Sequence, residues 1–426
     1  MAQSIRPRYA HAPDNRLEEN RVSQDPYLLI TADTHAGGSH AQYREYLDPG
    51  YRGRFDEWRG GYRNPSQEHY GRKKMRNWDY EIRTRDQNSQ GVVGEVVFPN
   101  TVPPFYTKSV VTAQPPAPDR FELALAGIRA HNRWLKDFCA EDPDRRAGIG
   151  LILPNDLDEA VKDIEFIAKA GLRGGVLLPL IPPDCTWLKP LHDPAWDKVL
   201  AAIQDHDLVI NQHSGQGSPD YGAGPVPEAL WISEVTFYCQ AGWRHLLMSG
   251  AYEKFPKLKY ILTESGCAWV GPALAQLDRI HMGFKAGAIG EMDYAGMEWV
   301  LKDRPSEYAA RNCHYGASFP SSADLEGIDA VGEDRVLWGN DYPHFEGTFP
   351  YNLESLRLTF GDLPDARRRK ILGLNAARLY NFDVDKLAPL AQEFGPTPEQ
   401  VETPLPKAQI PADSMCYLFT NALYGA

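Results

Sequence analysis

Cysteine is scarce in this chain and unpatterned. Six occur in 426 residues (Cys139, Cys185, Cys239, Cys267, Cys313 and Cys416), widely spaced and with no C-x-x-C pair. This argues against a disulfide scaffold and a thiolate zinc site, and it fits reduced thiols in a cytoplasmic protein. Long apolar runs are also missing. No stretch of about 18 apolar residues occurs, so no membrane association is expected. The opening segment, MAQSIRPRYAHAPDNRLEEN, lacks the apolar core of a secretory signal. Basic residues are not in excess either. With 45 Lys and Arg against 57 Asp and Glu, the formal net charge of −12 argues against a nucleic-acid partner. No G-x-G-x-x-G follows a strand-like run, and no phosphate loop or Ser/His/Asp order emerges.

What the chain does contain is a regular alternation. Short apolar, β-prone runs begin at YLLITAD (27–33), GVVGEVVFPN (91–100), RAGIGLILPN (146–155) and GLRGGVLLPL (171–180). They continue at DLVINQHS (207–214), LKYILTES (258–265), CHYGASF (313–319) and RVLWGNDYP (335–343). Helical patterns such as LDEAVKDIEFIAKA lie between them. Apolar runs without polar alternation suit parallel strands covered on both faces. Eight of them alternating with helices predict an α/β fold, a (β/α)8 TIM-type barrel spanning residues 27–385. Residues 36–90, rich in Tyr, Trp, Arg and Asp, form a long insertion after the first strand. An insertion there is expected to wall or cover the active-site face, or to pack on the barrel as a surface subdomain. Residues 1–26 read as an N-terminal arm, and the Pro-rich residues 386–426 as a C-terminal arm with an apolar tip.

The ends of the runs break the apolar rule. The first run finishes in Asp33 and His35, the fifth in His213, the sixth in Glu264 and the eighth in Asp341, with His344 just beyond. Singly, each has an ordinary explanation, such as an N-cap for Asp33 or turn chemistry for Asp341. A barrel, however, gathers its C-terminal strand ends at one rim. Charged groups are costly in such an interior. Imidazole and carboxylate together suit a divalent transition metal, here zinc, manganese or iron, with one or two ions per chain. The candidate ligands are Asp33, His35, His213, Asp341, Glu264 and Glu234. The last lies on the helix after the glycine-rich HSGQGSPDYGAGP loop, where it is a ligand or a supporting carboxylate. Candidate catalytic groups are Asp341, Glu264 and His344. His314, at the start of the seventh run, would lie at the bottom of the barrel. Phe98, Tyr106 and Trp269 follow strand ends and are candidates to line a substrate pocket.

Five segments, ADTHAGG, NQHSGQG, FPKLKYILTESGCAWV, LWGNDYPHFEG and KILGLNAARLYNF, together resemble the amidohydrolase-related family. This is the branch of the amidohydrolase superfamily that includes aminocarboxymuconate-semialdehyde decarboxylase and resorcylate-type decarboxylases. The resemblance runs from Tyr27 to Phe382. It implies a metal held by the Asp33–His35 pair, by His213 and by Asp341. The family's histidine on the sixth strand is replaced here by Glu264, and no lysine ends the fourth run to serve as a carbamylated bridge. The resemblance implies an enzyme that hydrolyses or non-oxidatively decarboxylates a small carboxylated or cyclic organic substrate. It also implies a homodimer or higher homo-oligomer. The carboxylate-rich set leaves a dinuclear Fe or Mn/Fe oxygenase as an alternative. A non-catalytic barrel subunit of a complex is the remaining one.

Overall fold

The eight apolar runs become eight parallel strands in the computed structural model, which describes residues 24–63 and 71–424. The expected N-terminal arm falls almost wholly outside those residues. The strands are β1 (Leu29–Ala36), β2 (Val92–Pro99), β3 (Arg146–Leu151) and β4 (Gly175–Leu177). After them come β5 (Val209–His213), β6 (Lys259–Thr263), β7 (Cys313–Ser318) and β8 (Val336–Gly339). Each pairs in parallel with the next, and a parallel bridge from Thr34 to Tyr342, just past β8, brings the sheet nearly closed. His35 N–H donates to the Tyr342 carbonyl at 2.7 Å, and Asp341 N–H to that of Asp33 at 3.0 Å. Helices including Phe121–Ala140, Leu157–Lys169, Asp197–Asp205 and Val270–Ala286 cover the outside, giving a (β/α)8 barrel.

Several strands are shorter than the runs that announce them. The fourth begins only at Gly175, whose φ of +89° belongs to glycine. A Cβ there would meet the Val209 carbonyl at 2.1 Å. The third stops before Pro154, which has no N–H for the ladder. Side chains divide by parity between two layers. Ile30, Val96, Ile149, Leu177, Val209, Ile261 and Leu337 pack together within the barrel. Leu29, Val97, Val176, Ile210 and Leu262 pack with the helices. All six cysteines are free and buried.

One irregularity governs the site. Ile30 and Ala32 belong to the interior cluster, so strict alternation would send Asp33 and His35 outward. Between Thr31 and Thr34, β1 carries an extra residue against β2: Thr31 pairs with Glu95, but Thr34 with Val97. This bulge shifts the phase by one and turns both side chains inward.

The insertion forms helices His40–Tyr46, Arg52–Gly61 and Tyr80–Ser89 and a 3-10 turn, Gly71–Asn77. Ser39 and Gln42 cap the first in a reciprocal box. Phe55 and Leu47 pack on Phe105, Ala126 and Ala130. Arg83 anchors the last helix beneath the barrel rim. Its Nη2 lies 2.6 Å from Glu95 Oε2, and its Nη1 donates to the His35 carbonyl at 2.8 Å. Burial raises the Glu95 carboxyl, but Arg83, with Arg146 behind it, brings it down to about 2. At the other end of the chain, Phe319, Tyr351 and Leu358 pack against a cluster containing Leu418 and Phe419 of the helix Tyr417–Tyr424.

Candidate metal centre

Four strands deliver acidic or imidazole groups to the C-terminal mouth of the barrel. From β1 come Asp33 and His35, and β5 ends in His213. Asp33 Oδ1 lies 3.4 Å from His213 Nε2 and 3.3 Å from His35 Nε2. β1 and β5 are not neighbours in the sheet, so this contact crosses the barrel interior. Just past β8, Asp341 Oδ1 approaches His35 Nε2 at 3.2 Å and His344 Nδ1 at 2.8 Å. Asp33, His35 and His213 form one group of converging donor atoms; His35, Asp341 and His344 form another. The His344 ring stacks on His35 with centroids 4.1 Å apart. Glu264, past β6, reaches His213 Nδ1 at 3.4 Å.

Backbone carbonyls set which ring nitrogens face inward. His35 Nδ1 lies 3.1 Å from the Pro99 carbonyl, and His213 Nδ1 lies 2.8 Å from that of Ser214. A carbonyl only accepts, so each Nδ1 carries a proton and each Nε2 is turned toward the carboxylates, where it can serve as a ligand once its own proton is absent. Ser318 Oγ donates to Asp33 Oδ2 at 2.6 Å, leaving Oδ1 for the centre. Both oxygens of Asp341 and His35 Nε2 are buried without a hydrogen-bond partner. A fully buried carboxylate in that condition costs several kcal/mol unless a cation compensates it. The donor set therefore fits a divalent metal, and its all-nitrogen-and-oxygen composition suits manganese, zinc or ferrous iron.

The electrostatics carry the same message. Burial pushes the Asp33 carboxyl up, and His213 and His35 more than reverse it, holding it far below the usual carboxylate range. Burial pushes His35 down, but Asp33 and Asp341 raise it well above its ordinary value. The two carboxylates thus favour positive charge where these atoms converge. Glu264 moves the opposite way. Burial, then the charges of Asp341 and Asp33, raise its carboxyl well above 4.5.

Two of these carboxylates sit on unusual backbone. Glu264 has φ +57° and Asp341 has φ +55°, in the left-handed region. For non-glycine residues this costs about 1–3 kcal/mol each and is concentrated at functional sites. Gly339 clears the space beside them, since a Cβ there would lie 2.6 Å from Asp33 Cβ.

Glu234 stands apart. Its carboxylate accepts a short hydrogen bond from Tyr221, and it belongs to neither donor group. His314 lies at the start of β7, where Arg335 Nη1 donates to its Nε2 at 3.2 Å, and burial pushes it down to about 3. Phe98 lines the centre, 4.7 Å from the His213 ring. Tyr106 lines a separate small cavity with Leu151 and Leu177, and Trp269 packs on Trp243 and Tyr315. Two polar residues escape a search for His and carboxylates alone. Ser318 is the last residue of β7 and Asn100 the last of the second run, and Asn100 Oδ1 lies 3.2 Å from His344 Nε2. Reading the last two residues of every run, whatever their type, would have found both.

Solved structures share this architecture. A 5-carboxyvanillate decarboxylase from Sphingomonas paucimobilis matches with TM-score 0.59 at 21% identity, covering 84% of this chain and 100% of its own. A dihydroxybenzoic acid decarboxylase from Polaromonas sp. JS666, with bound manganese and 2-nitroresorcinol, matches with TM-score 0.58 at 16% identity, covering 83% of this chain and 97% of its own. An amidohydrolase from Mycobacterium avium subsp. paratuberculosis matches with TM-score 0.61 at 17% identity, covering 83% and 99%. The amidohydrolase family model matches residues 116–382, from before the helix that precedes β3 to beyond the helix that closes the barrel. With well over half its length matched, the chain belongs to the amidohydrolase family.

Proposed function

We propose that this protein is a metal-dependent enzyme that removes a carboxyl group, without oxidation, from a small aromatic carboxylate. The observation that supports this best is the pairing of two features at one rim. His35 joins two groups of converging donor atoms, one with Asp33 and His213 and one with Asp341 and His344, and beside them burial and the charges of Asp341 and Asp33 raise the Glu264 carboxyl well above 4.5. Similar folds named as aromatic acid decarboxylases, with manganese bound in some, add support.

Asp33, His35, His213 and Asp341 would hold the ion, manganese being the first choice. When bound, it supplies a positive charge that orients the substrate's carboxylate and a neighbouring oxygen. Phe98 offers an aromatic wall to the ring, and Glu264 carries the proton. A dication lowers the Glu264 pKa again, toward the range in which an acid catalyst works near neutral pH. Glu264 then donates its proton to the ring carbon that bears the carboxyl group. The bond from that carbon to the carboxyl breaks, its electron pair restores the aromatic ring, and carbon dioxide leaves. The net change is one proton taken up for each carbon dioxide released, and Glu264 recovers its proton from water. Asn100 fixes His344, which in turn holds Asp341.

The test is a panel of hydroxylated aromatic carboxylates offered to manganese-loaded protein, following carbon dioxide release and dissolved oxygen. Release without oxygen consumption supports the reading. Oxygen uptake coupled to turnover overturns it in favour of an oxygenase. A homo-oligomer belongs to the same proposal, supported by Val226, Leu230 and Phe237, which line one face of a helix at 68%, 44% and 67% exposure. Light scattering that gives the mass of a monomer would remove it.

A further inference from the structure

The inserted segment does more than cover the barrel. Between it and the loop after β2 lies a cavity of about 770 Å³, within the size range of small-molecule sites. It starts where β1 and β2 end. Ser39 and His40 on one side, with Asn100 and Thr101 on the other, form its inner wall, and Asn100 is the residue that meets His344 beside the metal centre.

The walls are aromatic and cationic. His40 lies 5.1 Å from Trp58 and 5.0 Å from Tyr62, ring centre to ring centre, and Trp78 also faces the space. Among the described residues, Arg44, Arg59, Lys74 and Lys108 line it against one carboxylate, Asp56. Arg44 takes up that carboxylate in a two-pronged contact, 2.8 Å on each arm. Arg59, Lys74 and Lys108 have no carboxylate partner among the described residues. Three cations without a carboxylate partner among the described residues, Arg59 lying over the Tyr62 ring, stand around one cavity in a chain of net charge −12. Such a cluster attracts anions through the local field. All four cations lie in the segment between β1 and the helix Phe121–Ala140, which borders the mouth of the barrel.

We propose that this cavity binds a second acidic group of the substrate, which is an aromatic acid with one oxyanion at the metal end and another held by Arg59, Lys74 and Lys108. The inference rests on the decarboxylase reading for the metal end. It adds that the inserted segment selects extended dianions over monoacids.

The experiment uses manganese-loaded protein and calorimetry with matched probes: benzoate against terephthalate, and a biphenyl with one terminal carboxylate against a biphenyl with one at each end. A biphenyl whose far group is a phosphonate tells a carboxylate preference from a phosphate preference. The longer dianions should bind roughly tenfold or more tightly than their monoacids, as a charge-assisted contact predicts. In the combined variant Arg59→Gln, Lys74→Gln, Lys108→Gln that advantage should fall to near one, with the monoacid affinity unchanged. These three side chains are on the surface, and an unchanged melting temperature verifies the fold. An advantage near one for every dianion, or one that survives the triple substitution, overturns the proposal. Repeating the titrations on chelator-treated protein separates the two readings. Monoacid binding that ignores the metal overturns the decarboxylase reading, whereas the dianion advantage is judged by the triple variant in either state.

Discussion

Asp341 is the side chain with most at stake. It is fully buried, its carboxylate meets only the His35 and His344 imidazoles, and its backbone sits at φ +55°. A carboxylate held there by two imidazoles alone is one that a bound cation would also neutralise. Asp341→Ala and His213→Ala should each leave protein that folds by circular dichroism and retains almost no metal after dialysis. Full metal content in both variants would sink the ligand assignment. Glu264 asks a separate question, because its role is to carry a proton. Glu264→Gln keeps the shape and removes the acid. Turnover should fall by about 10²- to 10⁴-fold while metal content stays at the parent level. Equal turnover would move the proton donor elsewhere in the site.

At the scale of elements, two devices hold the site in place. The first is the close pass of β8 over β1, permitted by Gly339. In Gly339→Ala the new methyl displaces Asp33, and metal affinity measured by competition with a chelator should drop by about tenfold or more. An unaltered affinity would mean that the strands part without moving the ligand. The second is the Arg83–Glu95 pair, which ties the insertion to β2 and, through the His35 carbonyl, to β1. The Glu95 carboxyl is depressed from 4.5 to about 2 in the folded protein. Its contribution to stability is therefore complete above about pH 4.5 and is lost as the pH falls through about 2. Glu95→Gln should lower stability at neutral pH and flatten the acid side of the stability profile between those values. An identical slope in denaturant titrations of both proteins would contradict this.

For the whole molecule, barrel and ion should be thermodynamically linked. A metal that binds only the folded state stabilises it by about 2.7 kcal/mol at a hundredfold excess over its Kd. Manganese should therefore raise the melting temperature of stripped protein, and it should leave that of Asp341→Ala unmoved. A shift of equal size in both would place the ion elsewhere. Because the proposed ligands come from β1, β5 and the loop after β8, a bound ion would tie the first strand of the barrel to the last.

The architecture was legible because it depends on local pattern. Eight apolar runs spaced by helical segments bury themselves in few ways, and parallel strands covered on both faces are one of them. Asp33, His35, His213, Glu264 and Asp341 were legible for a related reason, since a charged group ending an apolar run needs an explanation wherever the chain goes. Ser318 and Asn100 were not, because serine and asparagine are unremarkable at a strand end until the atom they hold is known. Glu234 carries the same chemistry in its sequence as Glu264, yet its helix directs it to Tyr221. The amino-acid sequence by itself determined the barrel and the kinds of groups at its mouth, because hydrophobic periodicity and residue chemistry act at short range. Only the tertiary structure decided which way Asp33 and His35 face and where the cations of the insertion gather. A one-residue bulge reverses a strand's faces, and residues far apart in the chain meet only after it folds.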